Sequence, residues 1–350
     1  MRSYPIHKFF ILCLCAILIL SACASFATLT PTLAATPVPL FSSPSGETRG
    51  GVTPTPAPAT STVIPSAPAA PSSTASDTAL AVAVTPSATL DSRLPPEKWQ
   101  DWPLVPAVSA RARAIYQKAL AAGSDPHRFS KVGDCQNIVS FFLAAFDHPG
   151  EYVLGDKYSD LQPVIDYFAG SWGRESQAVR GGFNVAAVLT PFQADSKACN
   201  PSETPLACEL RLFKPSMALV SMETWWAGKK AGDYEKYLRQ IVDYAISHNV
   251  LPILATKADN LEGDHSINLA IARVAYDYDL PLWNWWRAAQ PLPAHGLQAD
   301  NFHLTHDPNS SADPLLYRRL SDPLAQTFAW PVRNITALQV LDAVRKAVQP

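Results

Sequence analysis

The chain has 350 residues and a formal net charge of −2 at pH 7, with an isoelectric point near 6.4. That balance excludes a basic field for nucleic acid and a polybasic membrane patch, and directs attention to small or neutral partners. The length admits two ordinary domains, yet composition divides the chain very unevenly.

Arg2 and Lys8 precede an apolar run from Phe9 to Leu20, followed by Leu20-Ser21-Ala22-Cys23. A basic stretch, an apolar core shorter than a membrane span and small residues before a cleavage point read as a secretory signal over residues 1–22. The Leu-Ser-Ala-Cys block resembles the lipobox of bacterial lipoproteins. That resemblance implies acylation of Cys23, removal of the apolar run, and a cell-envelope protein tied to the outside of a membrane by acyl chains rather than by a span.

Residues 23–98 form the second region. From Ser42 to Lys98 no aromatic residue occurs, and Pro, Thr, Ala and Ser dominate, as in Val52-Thr53-Pro54-Thr55-Pro56. Such a segment cannot bury enough apolar surface to offset its chain entropy and reads as an extended, disordered spacer. Aromatic residues and apolar periodicity begin near Trp99, so residues 99–350 are expected to form one domain with a sizeable core, monomeric as far as composition goes.

Within that domain Phe129 to Gly133 reads as a short strand ending in a turn, and Asn137 to Phe146 as a helix. Ser216 to Met222 and Val250 to Thr256 are continuous apolar runs, as in strands buried on both faces, and Asp233 to Asn249 between them has helical spacing. A helix over Ser266 to Asp277, a strand over Pro281 to Asn284, and closing helices over Ala312 to Phe328 and Ile335 to Val348 complete the series. Strands alternating with helices of this length predict an α/β fold, a parallel sheet covered on both faces, with working residues beyond the carboxyl ends of the strands.

Three of the six cysteines, Cys135, Cys199 and Cys208, lie in this domain. In an oxidising compartment the last two are close enough in sequence to close a short disulfide loop, worth about 2–3 kcal/mol. A metal site at that pair would need further ligands at zinc spacing, and His295, His303 and His306 lie far along the chain, so neither metal nor cofactor is expected. Cys135 then stands outside the pair, as a functional thiol or as a small buried hydrophobe.

Cys135 follows Gly133-Asp134 where the first strand gives way to the expected helix, a position at which backbone N–H groups can face a developing oxyanion. Asp300-Asn301-Phe302-His303 follows the last expected strand. A carboxylate and an imidazole three residues apart can fix the ring tautomer, leaving the second ring nitrogen to take a proton from a nucleophile. On these blocks the chain from Phe129 onward resembles the SGNH, or GDSL-type, hydrolases. The resemblance implies a flavodoxin-like three-layer α/β/α sandwich that hydrolyses esters of carbohydrates or lipids. It assigns Cys135 as nucleophile in place of serine, His303 as base, Asp300 as its orienting acid, and the amides of Cys135 and Gly182 (in Arg180-Gly181-Gly182-Phe183) as oxyanion donors.

The third block departs from that family's Gly-x-Asn-Asp. A gap-free reading places Glu223 at the glycine and Trp225 at the asparagine, and an indole N–H is a poor substitute for a compact amide. Losing an oxyanion donor costs about 100–1,000-fold in turnover. The residues therefore support two expectations: a hydrolase working through a thiol, or an inactive domain on the same scaffold that binds glycans. In the second, Trp225 and Trp226 would supply a stacking face; packing in the core is the plainer expectation for them and for Trp283, Trp285 and Trp286.

Overall fold

A four-stranded, all-parallel sheet carries the fold in the computed structural model, which describes residues 93–223, 225, 230–308 and 318–349. The strands β1 (Asp125–Gly133), β2 (Pro215–Ser221), β3 (Leu251–Ala255) and β4 (Leu282–Trp283) lie side by side in that order. Phe129 stands opposite Met217 and Gly133 opposite Ser221; Leu219 faces Ile253, and Leu254 faces Leu282. Every residue of β2 and β3 is buried, which is why both read as unbroken apolar runs instead of alternating ones.

Helices occupy the connections. Ser109 caps α1 (Ala110–Ala121), its hydroxyl accepting from Ala112 N at 2.9 Å. Thr204 caps α3 (Pro205–Phe213) in the same way from Ala207 N at 3.1 Å, with Pro205 in the first turn where no N–H is needed. Between them lies the short α2 (Gln162–Tyr167). The stripe Tyr234, Leu238, Ile241, Val242 and Ala245 turns α4 (Ala231–Ser247) inward against α5 (Ser266–Tyr278) and β3. After β4 come α6 (Trp285–Ala289) and the closing α7 (Ala329–Val348), which packs against α1 and α2.

Several expectations are corrected. The helix expected over 137–146 is absent: a 3₁₀ turn at Cys135–Asn137 ends in extended Ile138, and Leu143 takes a left-handed φ of 66° before a second turn at Ala144–Asp147. Long-range bonds override the local pattern there. Leu143 N donates to Asn334 Oδ1 at 2.8 Å, and Asn334 Nδ2 donates to Phe141 O at 3.1 Å. Of the helix expected over 312–328, residues up to 317 lie outside the described part, and the remainder, which includes a bridge of Arg319 to Val153 and a 3₁₀ turn at Ala325–Thr327, is not α-helical. The closing helix begins six residues early, at Ala329, because Pro331 sits in its first turn, where proline is tolerated.

The described fold also takes in residues before Trp99. Pro96–Asp101 forms a 3₁₀ turn that buries Trp99, and Arg93 pairs with Asp279 at 2.9 Å. The signal region, Cys23 and nearly all of the spacer fall outside the described residues. All described residues belong to one compact unit, and no helix among them is long and apolar enough to cross a membrane.

The core is rich in rings. Phe129, Phe146 and Phe168 meet Trp172 edge-on at centroid separations of 4.9, 5.6 and 6.0 Å, the offset geometry that the ring quadrupoles favour. Trp283 and Trp285 are fully buried. Charged groups are interred as well. Lys131, inside β1, donates to Trp172 O at 2.6 Å, and burial lowers its pKa to about 7. Glu209 accepts from Ser130 Oγ and from Gln177 N and pairs with Arg174, pinning the segment after Trp172 to the side of β1.

Candidate active site

The rim at the carboxyl ends of the strands gathers the chemistry. Gly133 closes β1 against β2 so tightly that a Cβ there would collide with the Asn137 amide and the Ser221 carbonyl. Its N–H donates to Ala178 O at 3.0 Å, and Val179 forms a single parallel bridge with it. Asp134 is fully buried; its Oδ1 accepts from Gln136 N at 3.0 Å and its Oδ2 from Glu223 N at 2.7 Å. Asn137 Nδ2 donates to Ser221 O at 2.8 Å. The residues immediately before and two after Cys135 are thus both fastened to the end of β2. Cys135 is half-buried and not disulfide-bonded. The turn it opens is three residues long, so a long helix dipole, which the sequence led us to expect, does not act on it.

The Asp300–His303 turn is self-contained. Asp300 Oδ2 lies 2.6 Å from His303 Nδ1, and Asp300 Oδ1 accepts from the backbone N–H groups of Phe302 and His303, each at 3.0 Å. These bonds, that from His303 first, hold the Asp300 carboxyl down at about 2. With Nδ1 engaged, the imidazole presents Nε2 on its opposite edge. The turn is joined to the first block by Gln136 Nε2, which donates to Phe302 O at 3.1 Å. Direct neighbours of Cys135 and His303 therefore touch, across 166 residues of sequence.

Gly182 adopts φ +82° in the turn Arg180–Phe183, closed by Phe183 N donating to Arg180 O at 3.0 Å. Arg180 N in turn donates to Gly133 O at 3.4 Å, so this turn hangs from the end of β1. Trp225 is half-buried, with its ring edge-on to Tyr234 at 5.8 Å; Trp226 lies outside the described residues. Glu223, which stands where the resemblance calls for glycine, points its side chain inward. Its carboxylate is 2.6 Å from Arg333 Nη2, and both residues are buried. Burial pushes the Glu223 carboxyl up to about 7, against the opposing pull of Arg333.

Arg333 was not legible as a site residue. It sits among apolar positions of α7, and the guanidinium lies 5.0 Å from the ring centres of Phe142 and Trp283 and 5.3 Å from that of Trp285. An arginine in a stretch otherwise free of charge, Phe328 to Leu341, was the available signal. A second buried charge cluster follows β3, where Lys257 Nζ bonds Asp259 and Glu262, each at 2.6 Å.

A cleft of about 450 Å³ opens beside the Cys135 loop, lined by Asn137 to Ser140, by Glu175 to Gln177 and by Val179 to Gly181, with Asp195 at the margin; Cys135, Gly182 and His303 are not among its lining residues. Asn137, one of its lining residues, keeps Oδ1 buried and without a partner among the described residues. Cys199 and Cys208 are bonded to each other, with Cα atoms 5.3 Å apart. Glu203 lies close to both sulfurs, but sulfurs committed to a disulfide are not metal-binding thiolates. A second groove, about 230 Å³ and largely apolar, lies by Trp102, Tyr276 and Leu280 at the entry to β4 and contains none of these residues. No known protein family matches the chain, and no curated protein does either.

Proposed function

We propose that this domain is an SGNH-type hydrolase of ester bonds, working through Cys135, His303 and Asp300 on an exported protein anchored by acylated Cys23. The observation that carries the reading is the tie between the two halves: Gln136 reaches Phe302 at 3.1 Å while Asp300 holds His303 Nδ1 at 2.6 Å. The sheet supports the fold part of it. Val179 bridges the free edge of β1, which supplies the rudiment of a flavodoxin-like order 2-1-3-4-5. Right-handed crossovers then put α3, α4 and α5 on one face and leave α1 and α7, which touch each other, for the second, giving three layers.

In the proposed reaction the Cys135 thiol passes its proton to His303 Nε2 and the sulfur bonds to the acyl carbon. The oxyanion lies against the N–H groups of Cys135 and Gly182. Collapse breaks the bond to the alkoxide, which takes the proton from His303. Water, giving a proton to the same nitrogen, then cleaves the thioester, releasing the acid and restoring the thiol. The cleft suits the sugar part of an acylated carbohydrate better than an alkyl chain. A chain would leave the cleft-lining Ser176, Gln177 and Arg180 without exchange partners for water.

A second reading, a glycan-binding domain without turnover, is favoured by one observation. Trp225, not asparagine, stands where the resemblance calls for the third oxyanion donor, and its ring packs edge-on against Tyr234 at 5.8 Å. Short-chain aryl ester hydrolysis by the full-length parent, Cys135→Ala, Cys135→Ser and His303→Ala separates the two. Cys135→Ala and His303→Ala are expected to lose about 10³-fold or more in kcat. Parent-level rates in Cys135→Ala end the thiol mechanism. Absence of turnover in the parent, together with tryptophan fluorescence that responds to oligosaccharides, selects the binding domain.

A further inference from the structure

The buried pair Glu223–Arg333 has no part in the proton and acyl transfers above, and hydrophobic packing would suit its site at least as well. Two charges removed from water gain back only part of their hydration from each other, and replacing such a pair with apolar residues is often neutral or stabilising. Its position gives it another use. Arg333 Nη2 donates to Ser221 Oγ at 2.7 Å and lies 2.6 Å from Glu223 Oε1. Ser221 Oγ donates to Glu223 Oε1 at 3.0 Å, closing a three-membered ring of side chains around the last residue of β2. The backbone of the same two residues holds the nucleophile loop: Ser221 O accepts from Asn137 Nδ2, and Glu223 N donates to Asp134 Oδ2.

From this geometry we infer that Arg333 and Glu223 are positioning residues, which hold the end of β2 in the one conformation that fastens the Cys135 loop on both sides. The inference rests on the reading of Cys135 as the reactive group only for its catalytic consequence; the clamp itself is a statement about the loop. The guanidinium fits the task because its Nη2 reaches both Ser221 and Glu223, and because the rings of Phe142, Trp283 and Trp285 leave it little freedom. Asp134 and Asp259 also act on Glu223, and both are acidic, so Arg333 supplies the countercharge that lets a carboxylate stand there.

The test compares the full-length parent with Glu223→Leu/Arg333→Met, Arg333→Lys and Ser221→Ala. Two readouts are used: amide hydrogen exchange resolved to peptides, and the pH profile of Cys135 alkylation followed on its own peptide by mass spectrometry. The double variant is expected to melt no lower than the parent, while amides at 133–137 exchange at least tenfold faster and those of β1 before them do not. The alkylation midpoint is expected to move toward that of an ordinary thiol, about 8.5. Arg333→Lys is expected to restore part of both, since it keeps the charge without the guanidinium plane that the three rings hold. Parent-like exchange at 133–137 in the double variant overturns the clamp. If the double variant does not fold, Ser221→Ala decides, because it opens the ring and keeps both charges: faster exchange at 133–137 supports the clamp, and parent-like exchange ends it. A parent whose alkylation midpoint is ordinary and unmoved by His303→Ala removes the thiol-hydrolase reading instead, and leaves the exchange comparison to judge the clamp.

Discussion

The two halves of the candidate site are built on opposite plans. The Cys135 loop is fastened through long-range bonds: Asp134 and Asn137 reach the end of β2, and Gly133 is wedged where no side chain fits. The Asp300–His303 turn is local. The bonds that Asp300 makes within it span three residues or fewer, and both side chains are about half exposed to water. A thiol loop held by the core cannot move without disturbing the sheet, whereas a solvent-facing imidazole is oriented by its own carboxylate and tied to the rest by Gln136. Substitutions in the two halves should therefore separate: those in the turn change chemistry and leave stability alone, and those that leave a buried group of the other half without its partner lower stability as well.

The largest expected effect falls on the exposed half. Asp300→Asn keeps the size of the side chain but lets its amide nitrogen face His303 Nδ1, favouring the wrong tautomer. On the proposed mechanism kcat should fall by on the order of 10³–10⁴ with thermal stability unchanged, because an exposed ion pair adds little to folding. Steady-state ester hydrolysis and a melting curve on the same preparation check it. A variant that loses stability along with activity would show that the turn is not as independent as its local bonding implies.

This contrast also explains what could be read from sequence. Local features were legible: the apolar runs of β2 and β3, the amphipathic stripe of α4, and the Asp-x-x-His spacing all depend on residues within a few positions of one another. Features set by distant partners were not. The segment 137–146 has helical spacing, yet Asn137 is drawn to Ser221 and Leu143 to Asn334, and those bonds fix a non-helical path. Arg333 lies 110 residues beyond Glu223 (333 minus 223), so the match of an odd glutamate to an odd arginine is visible only after folding. α1 and α3 went unread for a milder reason. Their caps, Ser109 and Thr204, are ordinary signals, but the helices they open are short or mixed in polarity.

The buried half carries a further charge, and it makes that half sensitive to pH. Lys131 lies two residues before Gly133, and burial lowers its pKa from 10.5 to about 7. Between about pH 7 and 10.5 the unfolded chain holds a proton on this amine that the folded chain does not, so stability rises with pH across that window; below about 7 the full cost of burying the charge applies. Relative to Lys131→Met, the parent should gain about 2–3 kcal/mol between pH 7 and 9, as measured by urea unfolding at each pH. The variant should be the more stable protein at pH 6, even though Trp172 O loses its 2.6 Å donor, a loss of about 1–3 kcal/mol. Parallel stability curves for the two proteins would mean that the amine finds water in the folded state.

The smallest change tests the joint between the halves. Gln136→Leu removes the amide that reaches Phe302 O at 3.1 Å and leaves Gln136 N, which holds Asp134, in place. One neutral hydrogen bond is worth about 1 kcal/mol, so stability should fall only by that amount. Turnover should fall further, about tenfold, with KM unchanged, because the imidazole has to be within bonding reach of the sulfur in the transition state and an unmoored turn samples that geometry less often. The pH profile of Cys135 alkylation should shift in the same direction. If Gln136→Leu lowers stability as expected and leaves kcat and the alkylation profile untouched, other contacts locate the Asp300–His303 turn. The joint would then be a packing bond, and the exposed half would be anchored from the strand-like pairing of Leu297 with Leu304 instead.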